Sequence, residues 1–310
     1  MKILIPGGSG QVGTVLARAF HRTGDEVVVL SRRPDAQPWR VVAWDGDHLG
    51  SWAGEVDDAD VVINLAGRSV NCRYNADNRA EIFESRLKST RVVGDAIAQA
   101  KSRARIWLQA STATIYAHRY EAPNDECTGI LGGDEPDAPD TWRFSIDVAR
   151  AWERAFAEAI VPSNTRKVAL RSAMTMSPDK GGIFDTLRGL VRRGLGGRAG
   201  DGRQFISWIH HEDFVAAIRW LIEHPGIDGV VNICAPNPLP NAEFMRVLRR
   251  ACGVPFGLPS TRWMLEIGAV FLRTETELIL KSRRVIPTRL LDSGFVFTYP
   301  TWAKAAGALV

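Results

Sequence analysis

Residues able to hold a phosphate gather at the start of the chain. Gly7-Gly8-Ser9-Gly10-Gln11-Val12-Gly13 follows the apolar run Ile3 to Pro6 and opens a stretch, Val12 to Phe20, whose apolar residues recur near every 3.6 positions. Strand, glycine loop and helix in that order suit a pyrophosphate. The first N–H groups of the helix lack intrahelical partners, and its dipole is positive there. Glycine lets the phosphate approach where a Cβ would block it. Two registers overlap, Gly8-x-Gly10-x-x-Gly13 and Gly7-x-x-Gly10-x-x-Gly13.

A second cluster selects among dinucleotides. Val27 to Leu30 reads as the next strand, and Ser31-Arg32-Arg33 stands where an NAD site places Asp or Glu for the ribose 2′-hydroxyl. A carboxylate repels a 2′-phosphate, whereas Arg32 offers it a fork of donors and Ser31 a hydroxyl. One charge-assisted bond of roughly 1.5 to 3 kcal/mol favours NADP(H) by about tenfold to a hundredfold. The plain alternative is a solvated arginine pair ahead of the turn residue Pro34.

The bulk numbers set limits. A chain of 310 residues, 45% hydrophobic, can bury one large domain and a smaller one. The net charge is +4, but its arginines are scattered without an aromatic-interleaved basic stripe, which argues against nucleic acid and suits an anionic ligand. Cys72, Cys127, Cys234 and Cys252 show no metal-ligand or disulfide spacing, as expected in a reducing cytoplasm. No apolar stretch reaches the roughly 20 residues that span a bilayer, and no export segment is visible.

The elements that must position these residues alternate in kind. Val41 to Trp44 reads as a third strand, Val61 to Gly67 as a fourth strand with its turn, and Asp77 to Ala100 as a long helix. Ile106 to Ser111 is a fifth strand, Asp140 to Ile160 mostly helix, and Lys167 to Arg171 a sixth strand. Alternation of this kind predicts an α/β fold with a doubly wound parallel Rossmann sheet. Phe205 to His210 reads as one more strand and Glu212 to Glu223 as a helix that Asp213 caps. The Rossmann domain is expected over 1–175, with 205–235 returning to it. Segments 176–204 and 236–310 are expected to form a smaller, mainly helical substrate domain. Gly189 to Gly202, interleaved with arginines, is either a flexible surface connection or a basic lid.

Gly7-x-x-Gly10-x-x-Gly13, Asn64-Leu65-Ala66-Gly67, Ser111-Thr112-Ala113-Thr114-Ile115-Tyr116, Leu170-Arg171 and Trp208-Ile209-His210-His211-Glu212-Asp213 follow one another in a known order. Over nearly its whole length the chain resembles an extended short-chain dehydrogenase/reductase of the NAD(P)-dependent epimerase/dehydratase superfamily. Glu84 to Thr90, Gly194-Leu195-Gly196-Gly197, Gly202-Arg203-Gln204 and Val285-Ile286-Pro287-x-Arg289-Leu290 are similar to its atypical "epimerase family" subgroup. The resemblance implies that Ser9 to Val12 wrap a pyrophosphate, Ser31 and Arg32 the 2′-phosphate, and Leu65, Ala66 and Gly67 the adenine-side ribose and the chain beyond it. It implies that Glu81 and Arg86 face the cofactor, although five residues apart they also suit a surface charge couple. Thr175 falls where the family's backbone meets the nicotinamide carboxamide. Arg203, Gln204, Trp208 and His210 are candidates to meet a substrate, although His210 reads more readily as a packed histidine at a strand end.

The family's active members carry a Tyr four residues before a Lys. Here the matching helix reads Phe144-Ser145-Ile146-Asp147-Val148, and Tyr74, Tyr116, Tyr120 and Tyr299 are followed at the fourth place by Asn78, Tyr120, Asn124 and Ala303. Phenylalanine transfers no proton and valine stabilises no phenolate. Two expectations stay open. The first is an NADP-dependent oxidoreductase or epimerase, acting on an unidentified carbonyl or sugar-nucleotide-like substrate, whose proton comes from Thr112, Tyr116 or water, with His118 and Asp147 behind them. The second is a non-catalytic NADP(H)-binding redox sensor or interaction protein. A homodimer through the helix from Asp77 to Ala100 is compatible with either, and no metal is expected.

Overall fold

The computed structural model describes residues 1–102, 104–136, 138–261, 264 and 277–310. The expected helical patterns over 262–276 otherwise lie outside the described residues.

Seven parallel strands form the central sheet: β1 (Lys2–Pro6), β2 (Glu26–Ser31), β3 (Arg40–Ala43), β4 (Val61–Asn64), β5 (Ile106–Thr112), β6 (Arg166–Ser172) and, at the edge beside β6, a strand over Gly229–Ile233. Between β6 and that edge strand lie the short β7 (Met174–Met176), β8 (Phe205–Ile206) and β9 (Trp208–His210), so the edge strand is β10; β11 (Leu239–Pro240) follows it. The sheet order is β10-β6-β5-β4-β1-β2-β3. The chain winds outward from β1 to β3 and then returns to its other side at β4. This switch between β1 and β4 opens a crevice at the carboxyl ends of the strands.

Strand residues are buried on both faces because helices cover both. Ile3, Ile5, Val27 and Val29 pack with Leu16, Ala17 and Phe20 of α1 (Gln11–Arg22), and with Phe214 and Ile218 of a helix over His211–Glu223. Leu4, Val28 and Val62 point the other way, onto Val92, Val93 and Ile97 of α2 (Ala76–Gln99) and Phe156 of α3 (Asp140–Glu158). Consecutive β1 residues thus serve opposite layers, which is why this strand reads as an unbroken apolar run.

A separate apolar cluster gathers Phe184 and Val191 of α4 (Ile183–Arg192), Phe244 and Leu248 of a helix over Asn241–Ala251, and Trp302 and Ala305 of the last helix, Trp302–Leu309. Counting the helix over His211–Glu223 as α5, these two are α6 and α9; Glu277–Leu280 is α7 and Thr288–Asp292 is α8. Trp302 stacks on Phe244 with ring centroids 4.1 Å apart and donates its indole N–H to the Phe244 carbonyl. The fold is a Rossmann-like α/β sheet with a helical C-terminal region.

Three local expectations need correction. Phe205 to His210 is two short strands: β8 pairs antiparallel with β11 and β9 pairs parallel with β7. Between them Ser207 donates its hydroxyl to the Arg283 carbonyl, so the chain changes sheet there. Asp213 does not cap α5; its carboxylate accepts from the backbone N–H groups of Thr298 and Tyr299, at 2.8 Å each. The cap is His210, whose Nδ1 accepts from Glu212 N–H. Finally, the stretch from Gly189 to Gly202 is not loop throughout: it begins inside α4, which runs to Arg192. Backbone bonds join Gly194, Gly197, Arg198 and Gly200 to Leu258 and Ser260.

Candidate functional site

The glycine loop occupies the crevice at the switch between β1 and β4. Gly7 has φ +73°, and a Cβ there would lie 2.5 Å from the Ala66 Cα beyond β4. Gly13 lets α1 press on the loop, since its Cβ would meet the Gly8 Cα at 2.4 Å. Among the described residues no side chain caps α1 at Gly10, and its first turn holds no acidic group. Its leading N–H groups therefore suit an anion. Beside them the Gln11 amide Nε2 is buried without a hydrogen-bond partner among the described residues. An uncapped helix start, an orphaned amide donor and a loop kept free of side chains together fit a dinucleotide phosphate.

At the end of β2 the Ser31 hydroxyl donates to the Arg33 carbonyl at 3.0 Å and accepts from Arg33 N–H at 3.2 Å. Ser31 thus shapes the turn from a buried position, leaving Arg32 and Arg33 exposed. Across the crevice, Leu65 N–H donates to the Pro6 carbonyl and Ala66 N–H to Asn64 Oδ1. Gly67 lies over Arg86, with 3.2 Å from its would-be Cβ to the Arg86 Cγ.

Glu81 and Arg86 part company. Glu81 is exposed and pairs with Arg68 at 2.6 Å. Arg86 turns inward, donates to the Ile82 carbonyl and sets its guanidinium 5.0 Å over the Trp152 ring. Burial pulls its pKa down to about 10. The surface couple expected between these two residues is not formed: Glu81 pairs with Arg68, and five helix positions turn Arg86 to another side of α2.

Arg86 leads into a cavity of about 230 Å³ between α2 and α3, whose walls include Ser111, Thr112, Thr114, Phe144, Ser145, Val148 and Trp152. Thr112 ends β5, and its hydroxyl accepts from Thr114 N–H. A larger groove of about 750 Å³ runs past Arg166 and Gly229, at the amino-terminal ends of β6 and β10. It lies at the wrong end of the strands for a nucleotide site.

Tyr116 stands apart from the cavity. It is 1% exposed, donates its hydroxyl to Asn232 Oδ1 at 2.9 Å and accepts from Arg171 Nη1 at 2.9 Å. Arg171 in turn forks onto Glu153 at 2.8 and 2.7 Å, and Ser111 donates to the same carboxylate. The hydroxyl expected to supply a proton is committed to a buried network, and burial raises its pKa.

The proposed substrate contacts are also scattered. Gln204 is buried and donates to the carbonyls of Ala199 and Ile279. Trp208 is enclosed beside Trp302. His210 is 1% exposed, and burial with His211 beside it pulls its pKa to about 3, so its ring is neutral. Arg203 is exposed, with its guanidinium over Tyr120. Thr175 lies buried in β7, paired in register with Ile209. His118 accepts from Ser282 N–H, and burial lowers its pKa.

Residues without a local signal complete the cavity. Tyr74 lines it from the turn before α2, its ring edge-on to Phe144 with centroids 5.1 Å apart. Its phenol shares a side-chain hydrogen bond with Ser145, and burial pushes its pKa up to about 12. Ser145 donates to Glu277 Oε2 at 2.6 Å, Arg283 donates to Glu277 Oε1 at 3.0 Å, and Arg283 Nε donates to Thr114 Oγ1. Lys281 beside them is 1% exposed and donates to the Thr114 carbonyl. Only the fold brings these groups together, since Tyr74 and Glu277 stand far from Ser145 along the chain.

These features define an NAD(P)-binding Rossmann fold of the short-chain dehydrogenase/reductase type. Residues 3–138 match the NAD dependent epimerase/dehydratase family, and residues 261–309 match a domain of unknown function, DUF1731. The human epimerase family protein SDR39U1 is 31% identical, with 100% of both chains covered. YfhF of Bacillus subtilis is also 31% identical, over 100% of this chain and 98% of that protein. The chain belongs to the epimerase family. A crystal structure of human SDR39U1 (isoform 2) with NADPH superposes with TM-score 0.85 at 29% identity, covering 100% of this chain and 99% of the other. UDP-N-acetylglucosamine 4-epimerase from Bacillus cereus shares the fold at TM-score 0.75 and 16% identity, over 100% and 95% of the two chains. Among the described residues no group of three or more His, Cys, Asp or Glu side chains is arranged to hold a metal ion, and no helix is long and apolar enough to cross a membrane.

Proposed function

We propose that this protein is an NADP(H)-dependent oxidoreductase of the epimerase family acting on a carbonyl substrate. The observation that carries NADP(H) over NAD(H) is the end of β2: exposed Arg32 and Arg33 on a turn held by Ser31, where an NAD site needs a carboxylate. The human relative crystallised with NADPH supports it. In this assignment α1 and the loop from Gly7 to Gly13 hold the pyrophosphate, Leu65, Ala66 and Gly67 border the ribose, and Arg86 and Thr112 face the nicotinamide half. Bound NADPH supplies a hydride at its C4 carbon; the protein's part is to orient it, exclude water and move a proton.

Fluorescence titration with NADPH and NADH tests the cofactor, and equal affinity or a preference for NADH overturns the assignment. Arg32→Ala weakens NADPH about tenfold or more and leaves NADH nearly unchanged. A second reading rests on Phe144 and Val148, apolar where a proton-transfer pair would stand: the protein would hold NADP(H) without turnover and report redox state. NADPH oxidation against carbonyl compounds and nucleotide sugars separates the two, and tight binding with no turnover of any selects the sensor.

A further inference from the structure

Phe144 and Val148 form one apolar cluster with Tyr74 and Ile82, so a phenol from another loop stands against both positions that lack their usual groups. We propose that Tyr74 is the proton donor of this site and that its substrate is a compact, uncharged carbonyl compound bound between Phe144, Ser145 and Thr112. The proposal rests on the NADPH-dependent reduction argued above.

Three observations bear on the donor. Tyr74 lines the same cavity as Thr112, Ser145 and Arg86, and Arg86 connects that cavity to Gly67 and the crevice. Its ring is fixed edge-on against Phe144, and its phenol is tied to Ser145, which Glu277 holds in turn. The phenolate that proton donation leaves is disfavoured by burial and by the Glu277 carboxylate, and the Ser145 hydrogen bond and the charges of Arg283 and Arg86 offset part of that, a task otherwise given to a lysine. Burial nonetheless keeps the phenol protonated at neutral pH, which suits donation to a forming alkoxide.

The walls select the substrate. Val70, Ile82, Phe144, Val148 and Trp152 make much of the lining apolar, and about 230 Å³ admits only a small molecule. Glu277 on the wall is 1% exposed and already paired with Arg283, and the Arg86 guanidinium is taken up by the Ile82 carbonyl and the Trp152 ring, so an anionic substrate meets a carboxylate and two engaged cations there. In the step itself the carbonyl carbon gains the hydride and its π pair closes onto oxygen. The Tyr74 O–H bond breaks and its proton goes to that oxygen; solvent then returns a proton to the phenolate. One NADPH and one proton are consumed for each alcohol formed.

The chain has four tyrosines, so 3-fluorotyrosine labelling yields four fluorine resonances, assigned by single Tyr→Phe variants. Saturating NADPH is expected to shift the Tyr74 line more than that of Tyr116, and an unmoved Tyr74 line with cofactor bound overturns the proposal. Kinetics with 2,3-butanedione, benzaldehyde and cyclohexanone, and pyruvate as the charged comparator, supply the second readout. Tyr74→Phe should lower kcat at least a hundredfold with NADPH affinity within twofold of wild type, and Ser145→Ala about tenfold. Retained turnover in Tyr74→Phe, preference for pyruvate, or NADPH binding with no turnover of any probe each overturns the proposal and leaves cofactor binding standing. Absence of NADPH binding overturns both.

Discussion

Half-buried Glu153 on α3 and buried Arg171 on β6 form a bidentate pair, with bonds of 2.8 and 2.7 Å, directly behind the cavity wall. The pair is roofed by Ser111 on one side and Tyr116 on the other, and Tyr116 continues to Asn232 on β10. It therefore joins β5, β6, β10 and α3 at the ends of the strands where the site lies.

Removing one member leaves the other's charge buried. Glu153→Gln is expected to lower unfolding stability by about 3 to 5 kcal/mol. Tyr116→Phe strands Arg171 Nη1 and Asn232 Oδ1 and costs about 1 to 3 kcal/mol, while NADPH affinity stays close to wild type. Urea denaturation and a fluorescence titration measure the two effects. A Tyr116→Phe variant as stable as wild type, but unable to bind or oxidise NADPH, would restore this hydroxyl to a catalytic role.

Gly13→Ala probes the loop. The added Cβ meets backbone at 2.4 Å, where no flexible side chain can yield, so α1 must move off the loop. NADPH affinity should fall by at least tenfold and stability by roughly 1 to 3 kcal/mol. Gly24→Ala, with no atom within 4 Å of its Cβ but φ +83°, isolates backbone strain from crowding and should leave NADPH affinity unchanged. Equal affinities for all three proteins would mean that the close approach of α1 is not needed for binding.

What was legible in the sequence was local. The Gly7 to Gly13 loop and the Ser31-Arg32-Arg33 turn each lie within a few residues of the strand that positions them, so their spacing carries the geometry. The doubly wound sheet followed from the alternation of strands and helices along the chain. Of the cavity, the sequence offered Thr112, Arg86 and the absence of a proton-transfer pair at Phe144 and Val148. Its walls come from four separate segments, and neither Tyr74 nor Glu277 has a neighbour in sequence that betrays its destination. Tyr116 misled for the same reason: its place after β5 is right for the site, but Arg171 and Asn232 draw the hydroxyl into the core. His210 and Asp213 show that a polar run at a helix start leaves open which side chain caps it.

Lys281 predicts a rise of stability with pH. Burial, with Arg283 beside it, lowers its pKa to about 7 in the folded protein against 10.5 ordinarily. Between those values the unfolded chain binds the proton that the folded chain has released, so stability increases as pH rises from about 7 toward 10.5. Lys281→Met, which keeps the stem and removes the titrating group, should flatten that rise in denaturation experiments between pH 7 and 10. A slope equal to wild type would show that Lys281 stays charged in place.

His210 predicts the opposite limb. Its ring is enclosed among His211 and Tyr299, Nδ1 already accepts from Glu212 N–H, and Nε2 is buried without a partner among the described residues. Protonation would put an unpaired charge there, and the folded pKa is correspondingly pulled to about 3 against 6.5 ordinarily. As pH falls through that interval the unfolded chain takes up a proton that the folded chain refuses. Stability is then lost at up to about 1.4 kcal/mol per pH unit. His210→Asn retains a capping side chain without the titration. Its stability should therefore fall less steeply than wild type between pH 6.5 and 4.5, the two curves converging toward the acid end. Parallel curves would mean that the acid limb belongs to the carboxylates alone and that His210 acquires a proton, and a partner for it, inside the folded protein.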